Sequence, residues 1–303
     1  MGLSQTQKDL IAGSAGGITQ VLVGQPFDIV KVRVQTAAPG TFKSPLDCAA
    51  KLLKNEGPLG FYKGTLTPLL GIGACVSIQF GALEWAKRFF GRRNGGKELS
   101  LSELYASGAI AGAANTIVAG PVEHIRIRLQ TQPDNPRLYN GPLDCARKLY
   151  AQNGIAGVFK GQVATVCRDG FGYGFYFLAY EALVQRHIRK NGGTREDISP
   201  LMSLSYGAVA GYALWASIYP LDVVKSKLQT DSLDPKKRMY SGMLDCFRKT
   251  WRAQGWRGFT GGLEPTLIRS PFANGATFVA FELAMRLMGG DKHEHLVMPD
   301  PTA

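Results

Sequence analysis

Charge is scarce in this sequence: 19% of its 303 residues are Asp, Glu, Lys or Arg, against about 25% in ordinary soluble domains. A mean hydropathy of -0.05 excludes a disordered chain, which combines low hydrophobicity with high net charge. The five cysteines are too few and too scattered for a disulfide scaffold, so a reducing or thiol-tolerant setting is expected. No Gly-x-x-x-x-Gly-Lys-Ser/Thr phosphate loop occurs. His124, His187, His293 and His295 show no metal-ligand spacing beyond His293-x-His295, which reads as part of a flexible tail over 291–303. No cofactor, metal or catalytic residue is therefore expected, and an enzyme fares poorly as a reading. Met1 to Asp9 contain one lysine and no arginine, so targeting is expected to be internal rather than by presequence. Acid is the scarcer sign, with 23 acidic against 35 basic residues and a net charge of +12. A nucleic-acid binder of this charge would gather its bases on one face. Here they fall between long uncharged runs, with a net +8 over 36–63, 131–160 and 230–262 and +3 over 84–103 and 181–197, and no nucleic-acid partner is expected.

One stretch recurs three times: Pro26-Phe27-Asp28-Ile29-Val30-Lys31 running to Gln35, Pro121-Val122-Glu123-His124-Ile125-Arg126 to Gln130, and Pro220-Leu221-Asp222-Val223-Val224-Lys225 to Gln229. Thirteen residues before each proline stand Gly13, Gly108 and Gly207, and four residues after those stand Gly17, Gly112 and Gly211. Leu-Asp-Cys recurs at 46–48, 143–145 and 244–246, followed in register by Gly64, Gly161 and Gly262 and then by Glu84, Glu181 and Glu282. Three repeats are expected, at 8–95, 103–192 and 198–290, each far longer than a solenoid unit of about 20 to 45 residues.

Each repeat opens with an uncharged run, Leu10 to Phe27, Leu104 to Val122 and Ile198 to Leu221. Their 18, 19 and 24 residues match a membrane span. The second runs are Gly64 to Leu83, Gly161 to Tyr180 and Gly262 to Phe281, the latter two interrupted by Arg168 and Asp169 and by Glu264 and Arg269. Six buried helices of a soluble all-α domain would fit the low mean hydropathy. Against that, each Gly-xxx-Gly pair costs a soluble helix about 1 kcal/mol per glycine, whereas in a membrane it lets helices approach closely. The expected fold is an all-α membrane protein of six transmembrane helices in a pseudo-threefold bundle. Proline inside the first span of each repeat should kink it.

In Pro-x-acid-x-x-base, acid and base lie three residues apart on one helix face. A solvated surface pair of this kind contributes little. Three copies around a pseudo-threefold axis can instead pair Asp28, Glu123 and Asp222 with Lys31, Arg126 and Lys225 of neighbouring repeats, forming a breakable gate. Gln35, Gln130 and Gln229, one turn further, can hydrogen-bond beneath the pairs.

These motifs resemble the signature of the mitochondrial carrier family (solute carrier family 25), over about Lys8 to Gly289. The resemblance implies short matrix helices between the spans of each repeat, and alternating access in the mitochondrial inner membrane by a functional monomer, with the ring as the matrix gate. It also implies a cytoplasmic gate of Glu84, Glu181 and Glu282 with bases three residues on. Only Lys87 fits, because Val184 and Met285 stand at the other two positions, so a weak cytoplasmic gate is expected. Gly141 and Gly242, which close Tyr139-x-Gly141 and Tyr240-x-Gly242, and Gly64 and Gly161 stand at expected helix N-termini, which favour anions. On these residues alone capping explains them equally well; the resemblance implies cardiolipin.

Seven residues after the glycines of the even spans stand Gly71-Ile72, Arg168-Asp169 and Arg269-Ser270. Unequal intramembrane charges are functional candidates. Arg168 and Asp169 could simply pair with each other, but adjacent helical residues do not face one another, so each is expected instead to reach a bound molecule. An arginine fork suits a carboxylate and an aspartate suits an ammonium, so the expected guest is zwitterionic, with Trp215 lining the cavity or packing in the core. By resemblance these are the family's contact points, and the pattern is similar to the carnitine/acylcarnitine, ornithine and fungal amino-acid carriers. Gln25 replaces the histidine of the carnitine carrier, and Ile72 lacks the acid expected for a dibasic guest. A neutral or acidic amino acid is the preferred substrate, with acylcarnitine and basic amino acids as alternatives.

Overall fold

The computed structural model describes residues 5–38, 40–95, 99–133, 136–194 and 197–288. The tail 291–303, with His293 and His295, lies outside them. Every regular element among the described residues is helical. Six long helices are α1 (Gln5–Thr36), α3 (Leu66–Arg93), α4 (Leu101–Thr131), α6 (Gln162–Asn191), α7 (Pro200–Thr230) and α9 (Leu263–Leu287). A short helix follows each odd-numbered span of a repeat: α2 (Pro45–Glu56), α5 (Pro142–Val158) and α8 (Met243–Gln254).

Local chemistry sets these boundaries. Helices α1, α4 and α7 continue through Pro26, Pro121 and Pro220, each proline removing one backbone donor from the ladder. The short helices end at Gly57, Gly154 and Gly255, whose φ of 71°, 59° and 57° lies in the left-handed region that favours glycine. In α5 this break falls inside the helix bounds, at Asn153 and Gly154. The chain turns into the next span at Gly64, Gly161 and Gly262, with φ of 78°, 81° and 79°. That backbone demand accounts for the triplicated glycine.

Each short helix carries Asp47, Asp144 or Asp245 in its first turn, paired at 2.8 Å with Lys51, Lys148 or Lys249 one turn on. The lysine hydrogen bond, with a backbone N–H, holds each carboxyl below its usual range. The same lysines donate to the carbonyls of Thr41, Leu138 and Met239, ten residues upstream, and so fasten the preceding loops. Beneath the short helices lie three small cores around Cys48, Cys145 and Cys246. Burial pushes these thiols up to about 11, 12 and 11, leaving them protonated, apolar fillers.

Polarity is reversed relative to a soluble protein. Leu70, Ile117, Val279 and Leu287 are 63 to 80% exposed, while Gln25, His124, Asp222 and Lys225 are at most 2% exposed. Large exposed apolar faces around buried charge are what a lipid environment requires, and this removes the soluble alternative. By length and composition alone, two described stretches are apolar enough to cross a membrane, 58–93 and 205–230.

Contacts divide the chain into two units. Of the described residues, one contains 5–72, 118–164 and 220–288; the other contains Gly73–Ile117 and Thr165–Tyr219. Each draws a segment from every repeat. In the first, α1 packs on α9, with Phe27 stacked on Phe272 at 6.1 Å and Gly16 close to the Thr277 carbonyl. In the second, α4 packs on α6 so closely that a Cβ at Gly108 or Gly112 would strike the Tyr173 or Asp169 backbone. The Gly-xxx-Gly expectation thus describes repeat two. Gly13 and Gly211 face open space.

Candidate functional site

In the first unit the repeated helical segments bring three ion pairs together. Lys31 meets Asp222 at 2.7 Å, Arg126 meets Asp28 at 2.8 Å, and Lys225 pairs with Glu123. Each pair joins two repeats, and the pairs run cyclically around all three. Their surroundings are unequal. Asp222 and Lys225 keep 3% of their side-chain exposure, whereas Asp28 keeps 18%.

The glutamines depart from the sequence reading. Gln35 donates to Asp222 at 3.0 Å. Gln130 and Gln229 do not reach the ring, and their buried side-chain amides have no hydrogen-bond partner among the described residues. Their stems pack beneath the left-handed turns, where a Cβ at Gly64 would lie 3.3 Å from the Gln130 side chain and one at Gly161 would lie 2.9 Å from that of Gln229. Gln25 is fully buried, accepts a hydrogen bond from Arg126 and donates to the Lys63 carbonyl at 2.7 Å. It therefore orients a ring cation.

Arg168 and Asp169, in the second unit, are 8% and 7% exposed and paired to each other, with Arg168 Nε donating to Asp169 at 2.6 Å. The expectation that neighbours on a helix could not meet is corrected here. It describes where Cβ atoms point, whereas three methylenes let a guanidinium fold back around its own helix, and burial makes that pairing necessary. In the same unit Trp215 is half-buried and sits edge-to-face with Tyr219 at 6.4 Å. Arg269, in the first unit, meets Asp28 at 2.9 Å. Gly71 is buried against Val122 of α4, and the Ile72 side chain packs near Gly17 of α1, so these two positions serve helix packing.

Among the expected cytoplasmic-gate residues, Lys87 and Glu181 are buried in the second unit, and Gln185 donates to Glu181 at 3.3 Å. Glu84 approaches Arg88 at 3.9 Å, and Glu282 pairs with Arg286, each within its own helix. Searching only three residues beyond each acid missed these bases, which stand four beyond.

Also missed was a set of cations at the ends of the odd spans. Arg33 binds Glu56 through two hydrogen bonds, and Lys63 shares that carboxylate. In repeat two Asn153 stands where Glu56 would be, and Arg128 and Lys160 turn instead to the Asp231 carbonyl, at 2.6 and 2.8 Å. Lys160 also lies 3.8 Å from the Asp231 carboxylate, and burial pulls its pKa down to about 8. Among the described residues no cluster of His, Cys, Asp and Glu suits a metal ion.

Comparison with known proteins bears on what this arrangement serves. The family model described as mitochondrial carrier protein matches residues 3–94, 97–191 and 196–292. The chain is 48% identical over 283 residues to the glutamate/glycine mitochondrial carrier ymc1 of Schizosaccharomyces pombe, covering 92% of this chain and 94% of the relative. It is 49% identical over 288 residues to the mitochondrial glycine transporter YMC1 of Saccharomyces cerevisiae, covering 93% and 92%. It is 40% identical over 287 residues to the mitochondrial basic amino acids transporter of Bos taurus, covering 94% and 93%.

Proposed function

The chain belongs to the mitochondrial carrier protein family, and on that premise we propose that it carries a neutral or acidic α-amino acid, of the glycine and glutamate class, across the mitochondrial inner membrane. The observation that carries this reading is the buried Arg168–Asp169 pair, one cation beside one anion at 2.6 Å. A zwitterion can exchange both charges at once: its carboxylate takes the Arg168 fork and its ammonium takes Asp169, with no unpaired charge left in a low-dielectric site. Arg269 is the second arginine offered to a carboxylate. A dibasic guest needs an additional acid, and Gly71 and Ile72 supply none.

The ring of Asp28, Lys31, Glu123, Arg126, Asp222 and Lys225 serves as the matrix gate, broken and remade in each cycle, with Gln35 its brace. Glu84, Lys87, Glu181 and Glu282 serve the cytoplasmic side. Gly64, Gly141, Gly161 and Gly242, at turns and helix N-termini, suit the phosphates of cardiolipin. One chain containing all three repeats is the working unit.

The test is uptake by the purified chain in liposomes preloaded with a panel of amino acids, carnitine and carboxylates. Glycine and glutamate should exchange, and Arg168→Ala or Asp169→Ala should abolish that exchange. Intact flux in either variant would refute the assignment of the site.

A further inference from the structure

Asp28 belongs to the ion-pair ring, yet its two oxygens serve different partners. Oδ2 accepts from Arg126 at 2.8 Å, and Oδ1 lies 2.9 Å from Nε of Arg269, a residue outside the repeated signature. Counting Arg269, the ring contains four cations, Lys31, Arg126, Lys225 and Arg269, against three carboxylates, Asp28, Glu123 and Asp222. At this corner the Asp28 carboxylate faces two of these cations.

The backbone is shaped for that contact. A Cβ at Gly24 would lie 2.7 Å from Arg269 Nε and 2.9 Å from Nη2, so the guanidinium rests against α1 where no side chain intervenes. The Phe27–Phe272 stack sets the spacing of α1 and α9 beside it, and Gln25 holds Arg126 on its other flank. The pair is also reachable, because Asp28 and Arg269 keep 18% and 24% side-chain exposure while Asp222 keeps 3%.

We propose that Asp28 is the internal counter-ion of Arg269, positioning its guanidinium and competing with the substrate carboxylate for it. This rests on the reading, above, that Arg269 grips a carboxylate. Such competition lowers the net gain on binding, because the arriving carboxylate replaces an existing ion pair rather than meeting a bare cation. A carrier that released its ligand only from a bare buried arginine would turn over slowly; a resident carboxylate that reclaims the arginine speeds release. Asp28 is thus a positioning residue that sets affinity, in addition to its place in the ring.

The experiment measures glycine binding to the full chain in detergent, as the glycine-induced rise in unfolding temperature, alongside exchange in liposomes. Asp28→Asn is compared with Asp222→Asn, which weakens the same ring without touching Arg269. Asp28→Asn should bind glycine about two- to fivefold more tightly than Asp222→Asn, the range expected for a partly exposed ion pair, with slower maximal exchange. Asp28→Ser, a second neutral replacement, is read in the same way should the asparagine variant fail to fold, and Asp28→Glu should keep the affinity of the unsubstituted chain. Equal or weaker binding in the neutral Asp28 variants overturns the inference. Arg269→Gln examines the underlying reading separately: it should reduce discrimination between glycine and methylamine, which lacks the carboxylate, with the remainder due to Arg168. If discrimination is undiminished in Arg269→Gln, the assignment of a carboxylate to Arg269 falls; if it is reduced while Asp28→Asn matches Asp222→Asn, only the competition falls.

Discussion

Arg168 and Asp169 depend on each other, since removing either takes from a buried charge the opposite charge it meets at 2.6 Å. Breaking a buried pair costs about 3 to 5 kcal/mol. Arg168→Ala should therefore lower the unfolding temperature more than the double replacement of Arg168 and Asp169 by alanine, although both lose transport; a double variant as unstable as the sum of the singles would contradict the pairing. The Arg269–Asp28 contact was not legible in the sequence, and the Arg168–Asp169 pairing was legible only as the lesser alternative. Helical spacing records where Cβ atoms point, and a long arginine reaches beyond its own face. The charged positions themselves were legible, because Gly71, Arg168 and Arg269 break a threefold pattern that is kept elsewhere.

Among elements, the triplicated glycines divide by environment. A Cβ at Gly112 would strike the Asp169 carbonyl, whereas Gly211 meets nothing within 4 Å. Gly112→Ala should destabilise by about 1 to 3 kcal/mol and impair transport through Asp169, while Gly211→Ala should be neutral or stabilising by up to about 1 kcal/mol. Thermal unfolding of the two variants reads the difference. The links from the odd spans to the segments that follow them also differ between repeats. Where repeat one ties Arg33 and Lys63 to Glu56, repeat two ties Arg128 and Lys160 to Asp231 after α7. Burial pulls Lys160 down to about 8, with Asp231 opposing and Arg128 and Arg238 adding to the shift. Between pH 8 and its ordinary value near 10.5, the unfolded chain holds a proton that the folded chain has released, so this group makes stability rise with pH across that window. Lys160→Met should remove that rise, as measured by unfolding temperature against pH. A sequence scan missed this substitution because the replacement acid lies in another repeat, 71 residues away.

For the whole molecule, spacing revealed the long helices, the three repeats and the cyclic arrangement of acids and bases, since each is a periodic property of the chain, while the short helices came from the family resemblance. Mean hydropathy concealed the membrane, because buried ring charges and exposed apolar faces cancel in an average; burial separates them, with Lys225 at 2% and Leu287 at 80% exposure. The account's central claim is that a zwitterion's two charges replace those of Arg168 and Asp169. The most direct measurement is uptake of glutamate against 2-oxoglutarate, the same dicarboxylate skeleton without an amino group, by liposomes containing either the unsubstituted chain or Asp169→Asn. The account predicts that the unsubstituted chain strongly prefers glutamate and that Asp169→Asn loses the preference; equal uptake of both by the unsubstituted chain, or a preference undiminished in Asp169→Asn, would contradict it.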